Sequence, residues 1–412
     1  GERRKRSLGH IDGEALIMTR FTTTTTALAA LLATTTIATA GGVERQGASP
    51  AILFQEGTYA ELSFTYVDPD ISGEQLVTAS ASSTAGSRSG DIGEAYTYGA
   101  VSFRADVTER LSFAVMYDQP IGADVNYMPN GGSGYLYGSG MGSQAQIRSD
   151  ALTVALRYEA TDRISVYGGL RSVTASGEVA LFNGSGPPDP TAGNRYVMEA
   201  DGSTELGFML GAAYEIPDIA LRVALTYYSA TDHTFTGTEG IMTPTGATFA
   251  GPTEFETTIP QQLLLEAQSG VAEGTLVFGS IRWIDWSEFD ITPPGFEAAT
   301  GGSLVSYDND TITYTIGGAR VLSDQWTALA SISYEAAQGG FSGNLGPTDG
   351  RTSLGLGARY TAGNMSLTGG INYTFIGDAE TEAPAPFPAG TTFASFEDNH
   401  AVGFGLRLGF QF

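Results

Sequence analysis

None of the 412 residues is cysteine, and beyond residue 40 none is lysine. The first absence excludes disulfides and thiol chemistry without deciding the compartment. The second belongs to a general scarcity of charge, since Asp, Glu, Lys and Arg make up only 16 % of the chain. After residue 40, 15 basic residues stand against 42 acidic ones, a net charge of −27. Such a surface repels phosphates, so nucleic acid is excluded as a partner. Long apolar runs are missing as well. No window holds 18 consecutive apolar residues, which rules out a helical membrane span.

The segment 18–40 reads as a signal peptide. Met18 and Arg20 make a short basic start, Ala27 to Ala33 form an apolar stretch, and Ala38-Thr39-Ala40 is the small-x-small pattern cut by a signal peptidase. Residues 1–17, with their "RRKR", read as a spurious or non-native extension. The mature chain is then expected to begin at Gly41 and to be exported. Export without a helical anchor leaves a soluble protein outside the cytoplasm, or a membrane β-barrel.

What the sequence does contain is period-2 alternation. "LTVALRY" sets Leu152, Val154, Leu156 and Tyr158 against Thr153, Ala155 and Arg157. The closing stretch "AVGFGLRLGFQF" sets Val402, Phe404, Leu406, Leu408, Phe410 and Phe412 against glycines, Arg407 and Gln411. Helical periodicity is nowhere sustained. The pattern predicts about fourteen strands, near 57–67, 93–105, 110–122, 144–160, 163–181, 199–215, 219–236, 254–268, 273–286, 304–321, 325–337, 349–361, 365–376 and 398–412.

Connections alternate between short turns such as "ATDR" and long Gly- and Pro-rich stretches such as 68–92, 237–253 and 287–303. That alternation, with apolar residues outward and small, polar or Arg-bearing positions inward, predicts an all-β fold. It is a transmembrane up-and-down antiparallel β-barrel of the bacterial outer membrane, crossing it many times over residues 57–412. Outer-membrane lipid and lipopolysaccharide are the expected surroundings. Residues 41–56 are assigned as a short N-terminal plug remnant, although their composition alone favours a disordered tail.

No catalytic or cofactor motif is present, so no enzyme activity and no cofactor are expected. His233 and His400 read as solvated rim histidines. "DPD" at 68–70 and "DND" at 308–310 read as solvated turn acids rather than calcium ligands. Arg157, Arg171, Arg222, Arg282, Arg359 and Arg407 are expected in the lumen. They either hold a carboxylate of a substrate or pair with lumen acids such as Glu61 and Glu205. Phe182, Ile241, Met242, Phe249 and Phe296 on long loops form either a hydrophobic landing groove or local loop packing.

Three stretches carry a family resemblance. "TTIPQQLLLEAQSGVAEGTLVFGSIRWIDWSEFD" (257–290) resembles the Pro-containing strand and the W-x-x-W-S-x-F strand of FadL-type outer-membrane transporters of long-chain fatty acids and hydrocarbons. "WTALASISYEAAQ" with "GPTDGRTSLGLGARY" (326–360) is similar to that family's penultimate hairpins, and "SPAILFQEGTYAELSFTYVDPDISG" (49–73) to its link from plug to first strand. The resemblance implies fourteen strands around an N-terminal hatch, capture of an apolar substrate at the outer loops, and sideways release at a kinked third strand. Here that strand reads "LSFAVMYDQPIGADV", and Pro120 and Gly122 would make the kink. Ser49-Pro50-Ala51 stands where the family has Asn-Pro-Ala, and the chain before it is short, which predicts a reduced hatch.

The expected function is passive uptake of long-chain fatty acids or similar hydrophobic compounds. The alternative is a general diffusion porin for small polar solutes. The terminal aromatic residue is expected to be read by the barrel-assembly machinery during biogenesis.

Overall fold

The computed structural model describes residues 43–45, 49–79, 83–127, 135, 143–183, 194–242, 248–383 and 387–412. The leader assigned to 18–40 and the extension before it lie outside the described residues. Fourteen antiparallel strands close into one barrel. They are β1 (Tyr59–Asp70), β2 (Tyr96–Thr108), β3 (Leu111–Asp118 and Gly122–Asn126), β4 (Gln144–Glu159), β5 (Ile164–Asn183), β6 (Asn194–Ile216) and β7 (Leu221–Tyr228 and Thr231–Met242). There follow β8 (Thr248–Ile259 and Gln262–Ala272), β9 (Thr275–Ile284), β10 (Thr311–Val321), β11 (Trp326–Glu335), β12 (Arg351–Ala362), β13 (Met365–Ile376) and β14 (His400–Gln411). Every neighbour in sequence pairs in space, and β14 closes on β1 with Tyr59 opposite Gln411 and Asp70 opposite His400. Closure satisfies the ladder all the way round, which lipid demands because it offers no hydrogen bonds.

Alternation decides which face meets lipid. On β4, Ser149, Ala151, Thr153, Ala155 and Arg157 are buried, while Leu152, Val154, Leu156 and Tyr158 are about half exposed. On β14, Gly403, Gly405, Arg407 and Gly409 face inward between the outward Phe404 and Leu406. The six turns at the end carrying the N-terminal plug are tight. Gly363, at φ 59°, supplies the positive angle that the two-residue β12–β13 hairpin takes at its first turn position.

At the outer end two expectations are corrected. The stretch 237–253, expected as a loop, is mostly strand, because the β7–β8 ladder continues to Met242 opposite Thr248. The stretch 287–303 holds the helix α1 (Pro294–Thr300), ended by Gly301 in the left-handed region. Residues 50–54 are no solvated tail either. Pro50–Phe54 is a turn of 3-10 helix inside the barrel, with all five residues buried.

Candidate functional site

Three strands break at nearly the same height, and a proline stands at two of the breaks. β3 stops at Asp118 and resumes at Gly122, and its register against β4 slips by one residue, from Asp118 opposite Ala151 to Gly122 opposite Arg148. Pro120 has no N–H to give the ladder, so the strand bends there. Above the bend β3 leaves β2: among the described residues that side is joined by the bridge between Gly93 and Val125 and by the Asn126 amide donating to Glu94 at 3.1 Å. β8 breaks at Pro260–Gln261 and β7 beside it at Ser229–Ala230.

The chain's own N-terminal segment occupies the edge that β3 presents. Glu44 forms an antiparallel bridge with Ile121, the Arg45 N–H donates to the Pro120 carbonyl at 2.9 Å, and the Gly122 N–H donates to the Val43 carbonyl at 2.8 Å. The side chains secure it. Glu44 is 3 % exposed and takes both Arg282 and Arg351, the latter at 3.1 Å. Arg45 pairs with Asp124 at 3.2 Å and lies 3.4 Å over the Tyr96 ring. Arg351 also pairs with Glu335 at 3.0 Å.

Below this, the 3-10 turn lies inside the barrel. The Ser49 hydroxyl accepts from the Ala51 N–H at 3.2 Å, and Pro50 opens the turn with its φ already set. Ala51 is buried in the same turn. Ile52, Leu53 and Phe54 pack on Met116, Tyr167, Met209 and Tyr228. Phe54 meets Tyr167 edge-on, and the guanidinium groups of Arg157 and Arg222 lie 4.6 and 4.5 Å from its ring centre.

All six arginines of the sequence reading face inward, and the structure divides them. Arg157 pairs with Glu159 at 2.9 Å and with Glu215, and Arg407 pairs with Glu61 at 3.4 Å. Arg222 and Arg157 hold the plug, and Arg359 lies near Tyr59. Arg171, paired with Asp118 at 3.1 Å, and Arg282 instead line a small cavity of about 40 Å³ directly under the kink, together with Glu44, Arg45, Pro120 and Ile121. The indole N–H of Trp286 and Nε of Arg171 line the same space, buried and without hydrogen-bond partners.

Above it lies an apolar cavity. Its walls are Ile147, Val179, Met198, Phe235 and Phe255, its floor is Ile121 and Ile259, and its roof is Phe289, Ile291, Leu304 and Val305 from the hairpin between β9 and β10. The cavity shares Ile121 and Ile259 with the charged one beneath. Glu239 of β7 fastens the roof. Its carboxylate accepts from the Gly295 and Phe296 N–H groups of α1 at 2.9 and 2.7 Å, from the Tyr196 hydroxyl at 2.7 Å and from the Thr253 hydroxyl at 3.1 Å. Phe296 also packs edge-on against Tyr196 at 5.0 Å.

The "WIDWSEFD" stretch turns out to be two-faced. Trp283 points outward and donates to Asp310, while Trp286 and Phe289 turn into the barrel against Tyr307. Asp310 is therefore not the solvated turn acid expected. Partial burial opposes its ionisation, but hydrogen bonds from the Ser287 hydroxyl and N–H and from Trp283 outweigh that and hold its carboxyl below the ordinary value. His233 is likewise no rim histidine: it is fully buried, bonded to the Thr231 hydroxyl at 3.0 Å and stacked on Phe235. His400 stacks on Tyr373. Ile241 pairs with Phe249 and Met242 with Thr248 across β7 and β8, and Phe182 ends β5, but the side chains of Phe182, Ile241, Met242 and Phe249 lie outside the described part.

A closed fourteen-stranded barrel with a lipid-facing apolar belt and an internally plugged lumen is a membrane β-barrel. A model of the outer membrane protein transport protein family (OMPP1/FadL/TodX) matches residues 16–412, and the chain belongs to that family and to the bacterial outer membrane. Among solved structures it resembles a Pseudomonas aeruginosa FadL homologue, with 17 % identity over 87 % of this chain and 91 % of that one and a TM-score of 0.69. The Pseudomonas putida toluene transporter TodX shares 13 % over 91 % and 96 %, at a TM-score of 0.61. The Ralstonia pickettii toluene transporter TbuX shares 16 % over 88 % and 94 %, at a TM-score of 0.59. No curated protein matches the chain.

Proposed function

We propose that this barrel is a passive channel for hydrophobic compounds, long-chain fatty acids among them, which leave sideways through the wall at β3. The observation that carries the reading is the position of the apolar cavity. Its floor residue Ile121 belongs to the kink itself, where β3 has left β2 and residues 43–45 pair with its edge. An acyl chain would lie among Val179, Met198, Phe235 and Phe255, and its carboxylate would reach Arg171 or Arg282 in the cavity below. An amphiphile that exits into lipid needs no water-filled pore. The name of the toluene transporters of the same fold supports an apolar cargo.

The general diffusion porin is the weaker reading. Pro50–Phe54 fill the lumen where a porin leaves an aqueous passage. The segment 18–40, read as a signal peptide, supports export.

Proteoliposomes decide between the readings. They are assayed in parallel for transfer of a labelled fatty acid and for swelling in sugars. Transfer without swelling is expected, and swelling without transfer overturns the proposal. Replacing Pro120 with a residue that restores the ladder should abolish transfer; unchanged transfer would rule out sideways exit at β3.

A further inference from the structure

The apolar cavity has one polar feature that the preceding reading leaves unused. Thr257 of β8 lines it, is 5 % exposed, and its hydroxyl has no hydrogen-bond partner. No other described residue lining this cavity has a buried side-chain polar atom in that condition. Gln146, also on the lining, is occupied by Asp124 and Arg148. Directly opposite Thr257 in the ladder stands His233, fully buried. Its Nε2 is taken by the Thr231 hydroxyl and its ring reaches the Ser203 main chain, so His233 is held within the wall and does not line the cavity. Of this cross-strand pair, Thr257 alone presents an unpartnered polar atom to the cavity.

Burying a hydroxyl without a partner costs free energy that packing does not return. The free space of the cavity, about 50 Å³, exceeds what one water molecule requires. We infer that Thr257 forms a polar subsite that selects neutral hydrophobic ligands bearing one hydroxyl or carbonyl oxygen. Alcohols, ketones and phenols have that chemistry. A ligand oxygen can hydrogen-bond with the Thr257 hydroxyl, as no hydrocarbon can. An anion is disfavoured at this level, because the only charged side chain on the lining is Glu178.

The inference rests on the apolar cavity being the ligand site, and the test separates the two. The protein is placed in lipid nanodiscs and titrated calorimetrically with p-cresol and p-xylene, which differ by hydroxyl for methyl, with empty nanodiscs as the blank. Thr257→Val keeps the shape and removes the hydroxyl, and Thr257→Ser keeps the hydroxyl. The valine variant is expected to lose p-cresol affinity by about five- to tenfold while p-xylene is unchanged, and the serine variant to retain p-cresol binding. Should the valine variant fail to assemble, Thr257→Ala is read in the same way. Equal p-cresol affinity in wild type and valine variant, with p-xylene still bound, overturns the subsite and leaves the channel reading standing. Failure of both compounds to bind the wild type removes the cavity reading and the subsite with it.

Discussion

Glu44 sits opposite Ile121 in an antiparallel bridge, and its carboxylate is clasped by Arg282 and Arg351 from the far side of the barrel. A segment outside the barrel sequence thus completes a strand edge that β2 does not cover. The proposed sideways exit would require this contact to open.

The chain has no cysteine, so the bridge can be locked without background. Glu44→Cys combined with Ile121→Cys is expected to cut fatty acid transfer about tenfold or more when oxidised, with recovery on reduction. Transfer assayed with and without reductant checks this, and each single variant controls for the lost ion pairs.

Phe54 holds the plug between Tyr167 and two guanidinium groups. Phe54→Ala should cost about 3–5 kcal/mol of packing locally and loosen the turn. Planar-bilayer recordings are expected to show ion conductance that the wild type lacks. A silent variant would mean that the lumen is closed elsewhere.

Glu239 ties α1 to β7 through the Gly295 and Phe296 N–H groups and also accepts from the Tyr196 and Thr253 hydroxyls, four hydrogen bonds in all. In Glu239→Ala each donor left buried costs about 1–3 kcal/mol, so the roof should open first. Hydrogen exchange of residues 290–305 is expected to rise well above wild type, with the barrel strands unchanged and uptake faster.

Asp310 anchors Trp283 and Ser287 outside the membrane-spanning part. Its folded pKa lies below the ordinary aspartate value of 3.8, so its stabilising effect is present above that value and is lost as the pH falls through the lower one. Tryptophan emission followed through acid titration should shift at strongly acidic pH in the wild type. Asp310→Asn should flatten that step, and an unaltered titration would count against the assignment.

Much of the fold was legible because alternation is local. Leu152, Val154 and Leu156 on one face and Thr153, Ala155 and Arg157 on the other need no distant partner to be recognised. Pro120 likewise announced a bend by chemistry alone. Misreadings arose where a partner lay far along the chain. His233 looked solvated until Thr231, Phe235 and the closed wall surrounded it, and Asp310 looked free until Trp283 and Ser287 reached it.

By itself the sequence determined the strand number, the sidedness of each strand, the short turns and the membrane context, since all follow from period-2 patterning and backbone chemistry. Only the tertiary structure decided which inward residues meet. Glu44 and Arg351 are 307 positions apart, and nothing in either neighbourhood encodes the meeting. Closing β14 on β1, bending β3 at Pro120 and inserting residues 43–54 bring those side chains together, because a barrel's interior contacts depend on global register rather than on local pattern.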